Sequence, residues 1–218
     1  MKKRLPLIYK RLSSFFGRQH WWPATTPFEV IVGAILTQNT NWSNVERAIE
    51  NLKQAKALEP KRLYKLSHSK LAGLIRPSGY FNIKSRRLKE FLKFFFKAYQ
   101  GNLKNMAANK TGVLREQLLS VNGIGPETAD SILLYALNKP VFVVDAYTKR
   151  VFYRHSLVKA DAAYSHIQGL FMQNLKRDVK LFNEYHALLV KLGKDFCLKS
   201  KPRCQSCPLV KFPRRVDA

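Results

Sequence analysis

Apolar side chains recur at helical spacing along most of the chain. Within 28–36, 88–95, 129–137 and 185–192, hydrophobic residues stand three and four positions apart, which predicts helices with one buried face. A run of β-branched and aromatic residues typical of a strand occurs only at 141–144, and one strand cannot make a sheet. We therefore predict an all-α protein in which 141–144 crosses the core as extended chain.

Turn-forming residues separate these helical segments. The breakers are Pro60, Pro77-Ser78-Gly79, Gly101-Asn102, Gly123-Ile124-Gly125-Pro126 and Asn138-Lys139-Pro140. The sequence has no internal repeat and no low-complexity segment. The basic segment after Cys207 is expected to be poorly ordered.

The charge balance indicates a polyanionic partner. The 218 residues include 39 Lys and Arg against 14 Asp and Glu, a formal net charge of +25. The basic residues are spread along the chain instead of forming one tail, so we expect them to cover a folded body. Such a surface favours nucleic acid as the partner.

Nothing in the sequence predicts a membrane span, because no run of about 18 apolar residues is present. The basic start is followed by Lys10 and Arg11 where a signal peptide would be apolar. We expect a soluble, cytoplasmic protein, associated with the nucleoid if it is bacterial. An odd number of cysteines in a reducing compartment favours metal ligation or free thiols over disulfides.

A glycine turn connects two of the helical segments. Gly123, Ile124 and Gly125 precede Pro126, which suits the first position of a helix. Two glycines one residue apart permit positive φ and a turn with no side chains over it. The backbone N–H groups of such a turn can bind a DNA phosphate. An ordinary helix junction would use the same glycines, so the turn indicates DNA binding only together with other features.

Asp145 directly follows the apolar run 141–144 and precedes a predicted helix, where an N-cap is expected. Capping alone would explain an aspartate at this position. The helix N-terminus would also keep the carboxylate ionised. An ionised carboxylate beside a sugar can stabilise an oxocarbenium-like centre and orient water.

Residues 123–151 resemble the endonuclease III family of helix-hairpin-helix DNA glycosylases. The resemblance implies that Gly123, Ile124 and Gly125 form the hairpin that contacts the DNA backbone and that Asp145 is the catalytic aspartate. Family members that also cleave the strand carry a lysine two residues after the second hairpin glycine. Glu127 occupies that position here and cannot form a Schiff base. The resemblance therefore implies a monofunctional glycosylase without AP-lyase activity.

A polar cluster around Gln38 ends the first long helical segment. It resembles the family segment whose glutamine fills the gap left by an extruded nucleotide, since extrusion costs a few kcal/mol. Gln38 is therefore the candidate DNA wedge. Capping of the helix end is the alternative role for this side chain.

Large aromatic residues stand at both ends of the same helical segment: Trp21 and Trp22, with Pro23, precede it, and Trp42 follows it. Their rings could form a pocket for an extruded base, and a cationic purine would gain about 0.5–2 kcal/mol from them. Core packing is the alternative role. Together with residues 77–84, this arrangement resembles the 3-methyladenine DNA glycosylase III branch of the family. The implied substrate is an N3-alkylated purine.

The spacing of Cys197, Cys204 and Cys207 resembles the start of the family's four-cysteine [4Fe–4S] loop. The fourth ligand would stand at 213, where the chain has Pro213. Three outcomes stay open: a cluster with three protein thiolates and an outside ligand, an empty loop, or a three-thiolate zinc site completed by a residue such as His186.

The resemblance covers residues 21–208 and implies two helical lobes with a DNA-binding cleft between them. Residues 27–134 would form the central bundle, and 1–26 plus 135–218 the second lobe. We expect a monomer that binds double-stranded DNA containing damaged bases, largely through phosphates. The alternatives are a glycosylase for oxidised pyrimidines or mismatched bases, and a lesion-binding module without chemistry. The second alternative has no need of Asp145.

Overall fold

A computed structural model describes residues 1–22 and 24–215, and over these residues the regular structure is helical, with no strand. The all-α prediction is confirmed. The helices are α1 (Arg4–Phe16), α2 (Pro27–Leu36), α3 (Trp42–Gln54), α4 (Pro60–Lys65), α5 (His68–Leu74), α6 (Phe81–Tyr99), α7 (Leu103–Ala107), α8 (Thr111–Leu119), α9 (Pro126–Ser131), α10 (Ala146–Arg154), α11 (Tyr164–Asn174) and α12 (Val179–Asp195). A 3-10 turn (Arg76–Ser78) precedes α6, and a π-helical turn (Ile132–Ala136) continues α9.

The described residues divide into two compact units. Residues 24–139 form the central unit, and residues 1–22 with 140–215 form the terminal unit. The central unit thus begins at 24 instead of 27 and ends at 139 instead of 134. Pro23, which was assigned to the base pocket, lies outside the described residues. No helix in the described part of the chain combines the length and the hydrophobicity that crossing a bilayer requires.

The central unit is built around α2, which is buried from Phe28 to Leu36. This helix packs against α3, α6, α9 and the π-helical turn, so it is buried on all sides and not only on the one face that its apolar spacing predicted. Its C-terminal end is held by Lys84, whose side chain is 1% exposed. The Lys84 Nζ donates to the carbonyl oxygens of Leu36 (2.7 Å) and Ser78 (2.6 Å), so the buried amine satisfies two backbone acceptors.

The terminal unit is built around α12, which packs against α1 and α10. Residues 141–144 belong to no helix or strand and are at most 5% exposed, so they cross the core as predicted and place Phe142 in it. The Phe142 and Phe171 rings stack with their centroids 3.5 Å apart. The Tyr185 hydroxyl donates to the Leu5 carbonyl (3.0 Å), which ties α12 to α1 with a buried hydrogen bond.

The basic C-terminal segment was expected to be poorly ordered, and for residues 208–215 this is wrong. The Arg215 backbone N–H donates to the Arg154 carbonyl at the end of α10 (2.8 Å). Arg11 of α1 donates from Nε to the Pro208 carbonyl (3.0 Å). The segment is therefore held by backbone carbonyls that its composition alone does not reveal.

Candidate functional site

The predicted glycine turn lies between α8 and α9. Gly123 has a φ of +87°, and a Cβ at this position would overlap the Arg87 side chain. Both facts require glycine here. Gly125 is different: with φ −89° and ψ 177° it is the extended N-cap of α9. Of the two glycines that permit positive φ, only Gly123 adopts it.

Buried contacts make the hairpin rigid. Val121 and Ile124 are 7% and 4% exposed, and the Ile124 N–H donates to the Val121 carbonyl (3.0 Å). Asp130 of α9 is fully buried and accepts two hydrogen bonds from Arg115 of α8, at 2.7 and 3.0 Å. This bidentate pair fixes one helix of the hairpin to the other. The sequence pattern does not predict this pair, because no spacing rule links side chains on two different helices.

The Gln38 side chain is bonded to the hairpin. Its Nε2 donates to the Gly123 carbonyl (3.0 Å) and to Thr128 Oγ1 (2.9 Å), and its Oε1 accepts from Arg87 Nη1. Both ends of the amide are therefore engaged within the central unit. In this arrangement Gln38 supports the turn, and a role as DNA wedge would require these hydrogen bonds to break.

Tyr80 is an exposed aromatic residue of the central unit to which the sequence analysis gave no role. It is 67% exposed and has a φ of +45°, directly after Gly79 with a φ of +67°. Bulky residues adopt left-handed backbone only where their surroundings fix it, and such residues cluster at functional sites. The signal available in the sequence is the preceding turn Pro77-Ser78-Gly79.

Trp42 and Glu127 also lie in the central unit. Trp42 begins α3 half-buried, and its Nε1 donates to Glu46 Oε1 (2.7 Å). Glu127 is exposed in the first turn of α9. A carboxylate is favourable at that helix end, and it offers no amine for covalent attack.

Asp145 is the N-cap of α10, as predicted. Its Oδ1 accepts from the Thr148 N–H (2.7 Å), and its Oδ2 lies 3.6 Å from Nε2 of His186 on α12. The side chain is 12% exposed. Burial raises the pKa of Asp145, but the His186 imidazole and the Thr148 N–H together outweigh burial and lower that pKa below its ordinary value. Asp145 is therefore an ionised carboxylate at neutral pH.

Trp21 lies beside His186 in the terminal unit, and Trp22 packs against Trp21. The Trp21 ring meets the His186 ring edge-on with centroids 6.4 Å apart, and Trp22 meets Trp21 at 90° at the same distance. Trp22 has a φ of +73°, a strained conformation for a bulky residue. The Gln19 backbone N–H anchors the loop by donating to Glu184 Oε1 of α12 (2.8 Å). The terminal unit thus places one predicted pocket aromatic, Trp21, against the histidine that faces the predicted catalytic aspartate.

The three thiols, Cys197, Cys204 and Cys207, line one small pocket, together with His155. Burial raises the pKa of the Cys207 thiol, which favours its neutral form. Among the described residues, no group of three or more His, Cys, Asp or Glu is arranged to hold a metal ion.

The residues present do not supply the four-ligand set of a [4Fe–4S] cluster. At the fourth position, the Pro213 carbonyl lies 3.1 Å from Nδ1 of His155. His186, offered by the sequence as a fourth zinc ligand, lies beside Asp145 and is not among the residues that line this pocket. Binding of a three-thiolate cluster stays a prediction.

Comparison with known proteins places the chain in a family. A model of the HhH-GPD superfamily of base excision DNA repair proteins matches residues 32–177, and the chain belongs to this superfamily. The family resemblance seen in the sequence, to endonuclease III-like HhH-GPD glycosylases, is confirmed.

Individual relatives agree with this assignment. A Methanocaldococcus jannaschii protein, named provisionally as a DNA repair glycosylase, is 51% identical over 94% of this chain and 93% of its own length. The crystal structure of H. pylori 3-methyladenine DNA glycosylase (MagIII) bound to 1,N6-ethenoadenine superposes with a TM-score of 0.74 and 31% identity, covering 86% of this chain and 96% of that one. A non-covalent endonuclease III–DNA complex shares the fold, with a TM-score of 0.84 and 20% identity over 98% of this chain and 95% of that one.

Proposed function

We propose that the protein is a monofunctional DNA glycosylase that hydrolyses the N-glycosidic bond of an N3-alkylated purine, such as 3-methyladenine, in double-stranded DNA. Membership of the HhH-GPD superfamily supports the repair glycosylase class. The observation that carries the chemistry is Asp145, an ionised carboxylate held at a helix N-terminus and 3.6 Å from His186, which the Trp21 ring contacts.

The proposed reaction is substitution at the anomeric carbon of the damaged nucleotide. As the C1′–N bond breaks, positive charge develops on the sugar, and the Asp145 carboxylate stabilises that charge. The same carboxylate orients the attacking water and accepts its proton. An N3-alkylated purine already carries positive charge, so it leaves without a strong general acid.

Base recognition is assigned to aromatic rings. Trp21 and Trp22 are half-buried in the terminal unit, where Trp21 contacts His186, and Trp42 is half-buried in the central unit. A cationic base stacked on a tryptophan gains about 0.5–2 kcal/mol over a neutral one. The H. pylori 3-methyladenine DNA glycosylase, whose structure contains 1,N6-ethenoadenine, supports this substrate class.

DNA binding is assigned to the hairpin and to the excess of basic residues. The net charge of +25 favours contact with many phosphates, which predicts binding that weakens steeply with salt. Because the Gln38 amide is engaged by the hairpin, the exposed Tyr80 is a second candidate for the side chain that stacks in the disturbed duplex.

The absence of AP-lyase activity is proposed from Glu127, which replaces the amine of the bifunctional enzymes. Lys84 is an amine of the central unit whose pKa burial lowers to about 8, with a further contribution from the charge of Arg87. Its Nζ donates to two backbone carbonyls and is buried, so it is not available to attack a sugar. Borohydride should therefore trap no covalent enzyme–DNA adduct.

Chromatography of the bases released from alkylated duplex DNA tests the proposal. The wild-type protein should release 3-methyladenine, and Asp145→Asn should not. Asp161→Asn, an exposed aspartate of the same unit, is the matched control and should retain activity. If oxidised pyrimidines or mismatched thymine were released and alkylpurines were not, the proposed substrate class would be wrong and the protein would be a glycosylase for those bases. If the protein bound lesions but released no base, it would be a lesion-binding module and not an enzyme.

A further inference from the structure

We infer that His186 is a positioning residue for Asp145: it holds the second carboxylate oxygen, so that the negative charge keeps one orientation toward the reacting sugar. The inference deepens the glycosylase function proposed above and rests on it. It also gives His186 a role different from the metal ligation that the sequence suggested.

Two helices hold the Asp145 carboxylate. From α10, the Thr148 N–H donates to Oδ1 (2.7 Å), and from α12, the His186 Nε2 lies 3.6 Å from Oδ2. The His186 and Asp145 side chains are only 6% and 12% exposed, so water screens this contact weakly. A separation of 3.6 Å is slightly longer than a hydrogen bond, as is common for catalytic contacts before substrate binds.

Close packing fixes the separation of the two helices. Gly193 is seven residues after His186 on α12 and therefore lies two turns away on the same face. A Cβ on Gly193 would overlap the Tyr147 ring of α10. Arg150 of α10 donates to the carbonyls of Gly193 (3.0 Å) and Cys197 (2.7 Å). With α10 and α12 locked in this way, His186 faces Asp145 from a rigid element.

Aromatic rings also restrain the imidazole itself. The Phe142 ring lies 6.3 Å from it at 82°, and the Trp21 ring lies 6.4 Å from it at 75°. Edge-to-face contacts of this kind favour one ring orientation. Trp21 is a candidate residue of the base pocket. His186 therefore contacts both a candidate pocket residue and the Asp145 carboxylate.

The charge of His186 also favours the ionised form of Asp145. Burial raises the pKa of Asp145, and His186 makes the largest opposing contribution, which lowers that pKa. Removing the imidazole should therefore raise the Asp145 pKa toward or above its ordinary value, while the Thr148 contact remains.

The experiment compares His186→Leu, which removes the ring nitrogens, with His186→Gln, which retains a donor. His166→Gln, at an exposed histidine of α11, is the matched control. We expect His186→Leu to lower the single-turnover excision rate about 10- to 100-fold, the size of effect expected from misplacing a catalytic group. Lesion binding should change less than about threefold, and His186→Gln should restore most of the rate.

A second measurement does not depend on excision. Carbon-13 NMR titration of the Asp145 carboxyl should give a higher pKa in His186→Leu than in the wild type, and no change in His166→Gln. An unchanged Asp145 pKa, or a His186→Leu rate within twofold of wild type, would overturn the inference. If His186→Leu does not fold, the wild-type titration carries the test: an Asp145 pKa at or above its ordinary value would overturn the inference. If the wild type releases no base at all, the proposed function fails, while the titration still decides the His186 contact.

Discussion

Arg87 occupies the space that a β-carbon on Gly123 would need. Arg87 also donates to Oε1 of Gln38, whose Nε2 donates to the Gly123 carbonyl. The turn, the glutamine and the arginine thus form one hydrogen-bonded group in the central unit. The shape of the hairpin depends on a residue of α6 that is distant from it in the sequence.

Gly123→Ala should destabilise the protein by about 1–3 kcal/mol, because alanine is strained at positive φ and its β-carbon displaces Arg87. The free energy of unfolding from denaturant titration measures this effect. Gly112→Ala is the control: Gly112 lies in α8, has no positive φ and has open space at its β-carbon. It should leave stability unchanged or raise it by up to about 1 kcal/mol. Equal effects of the two substitutions would contradict the argument.

Lys84→Met should destabilise the central unit by about 1–4 kcal/mol at pH 7, because the buried Leu36 and Ser78 carbonyls lose their donor. The exposed Lys61→Met is the control and should change stability little. Since burial lowers the pKa of Lys84 to about 8 from 10.5, the unfolded state binds more protons between these values. The wild-type free energy of unfolding should therefore rise relative to that of Lys84→Met as the pH rises from 8 toward 10.5. A flat difference across this range would show that Lys84 is not desolvated.

Asp145→Asn should separate the capping role from the catalytic role. Asparagine is as good an N-cap as aspartate, so Asp145→Asn should lose only the stabilisation that the charge provides, whereas Asp145→Ala should lose about 1 kcal/mol more. Excision should fall about 10²- to 10⁴-fold in both variants. The single-turnover rate and the melting curve measure the two effects. Undiminished excision in Asp145→Asn would remove the carboxylate from the mechanism.

The Asp145 pKa gives a prediction for stability. Because the folded-state pKa is lower than the ordinary value, the ionised carboxylate stabilises the protein at pH values above the ordinary carboxyl range. This stabilisation should be lost as the pH falls through the folded-state pKa. The difference in free energy of unfolding between the wild type and Asp145→Asn, measured against pH, should therefore shrink below about pH 4. If the difference in free energy of unfolding between the wild type and Asp145→Asn grew as the pH fell, the Asp145 pKa would not be lowered by folding.

Tyr80→Ala should weaken binding to lesion-containing duplex DNA about 5- to 100-fold if the ring stacks on a base, since base–aromatic stacking contributes about 1–3 kcal/mol. The exposed position predicts little effect on stability. Leu7→Ala, at another exposed apolar side chain, should leave DNA binding unchanged. Fluorescence anisotropy at fixed salt measures both. If Tyr80→Ala and the wild type bound lesion-containing DNA with equal affinity, Tyr80 would not be the wedge and Gln38 would remain the candidate.

Local sequence signals were sufficient for much of the fold. Periodic apolar residues fix the helices, because a helix with one apolar face must bury that face. Asp145 as an N-cap and the turn at Gly123 were predicted for the same reason: both depend on residues within a few positions of each other. That Cys197, Cys204 and Cys207 lack a fourth partner followed from their resemblance to the family's four-cysteine loop, since Pro213 stands at the fourth position.

Only the tertiary structure decided which side chains meet across helices. The contacts of Asp145 with His186, of Asp130 with Arg115 and of Gln38 with Arg87 join residues that packing brings together. Their energies depend on distance and burial in three dimensions, and neither quantity is encoded in local periodicity. The sequence alone therefore determined the helices, the family and the candidate aspartate, whereas packing determined what holds that aspartate and the hairpin in place.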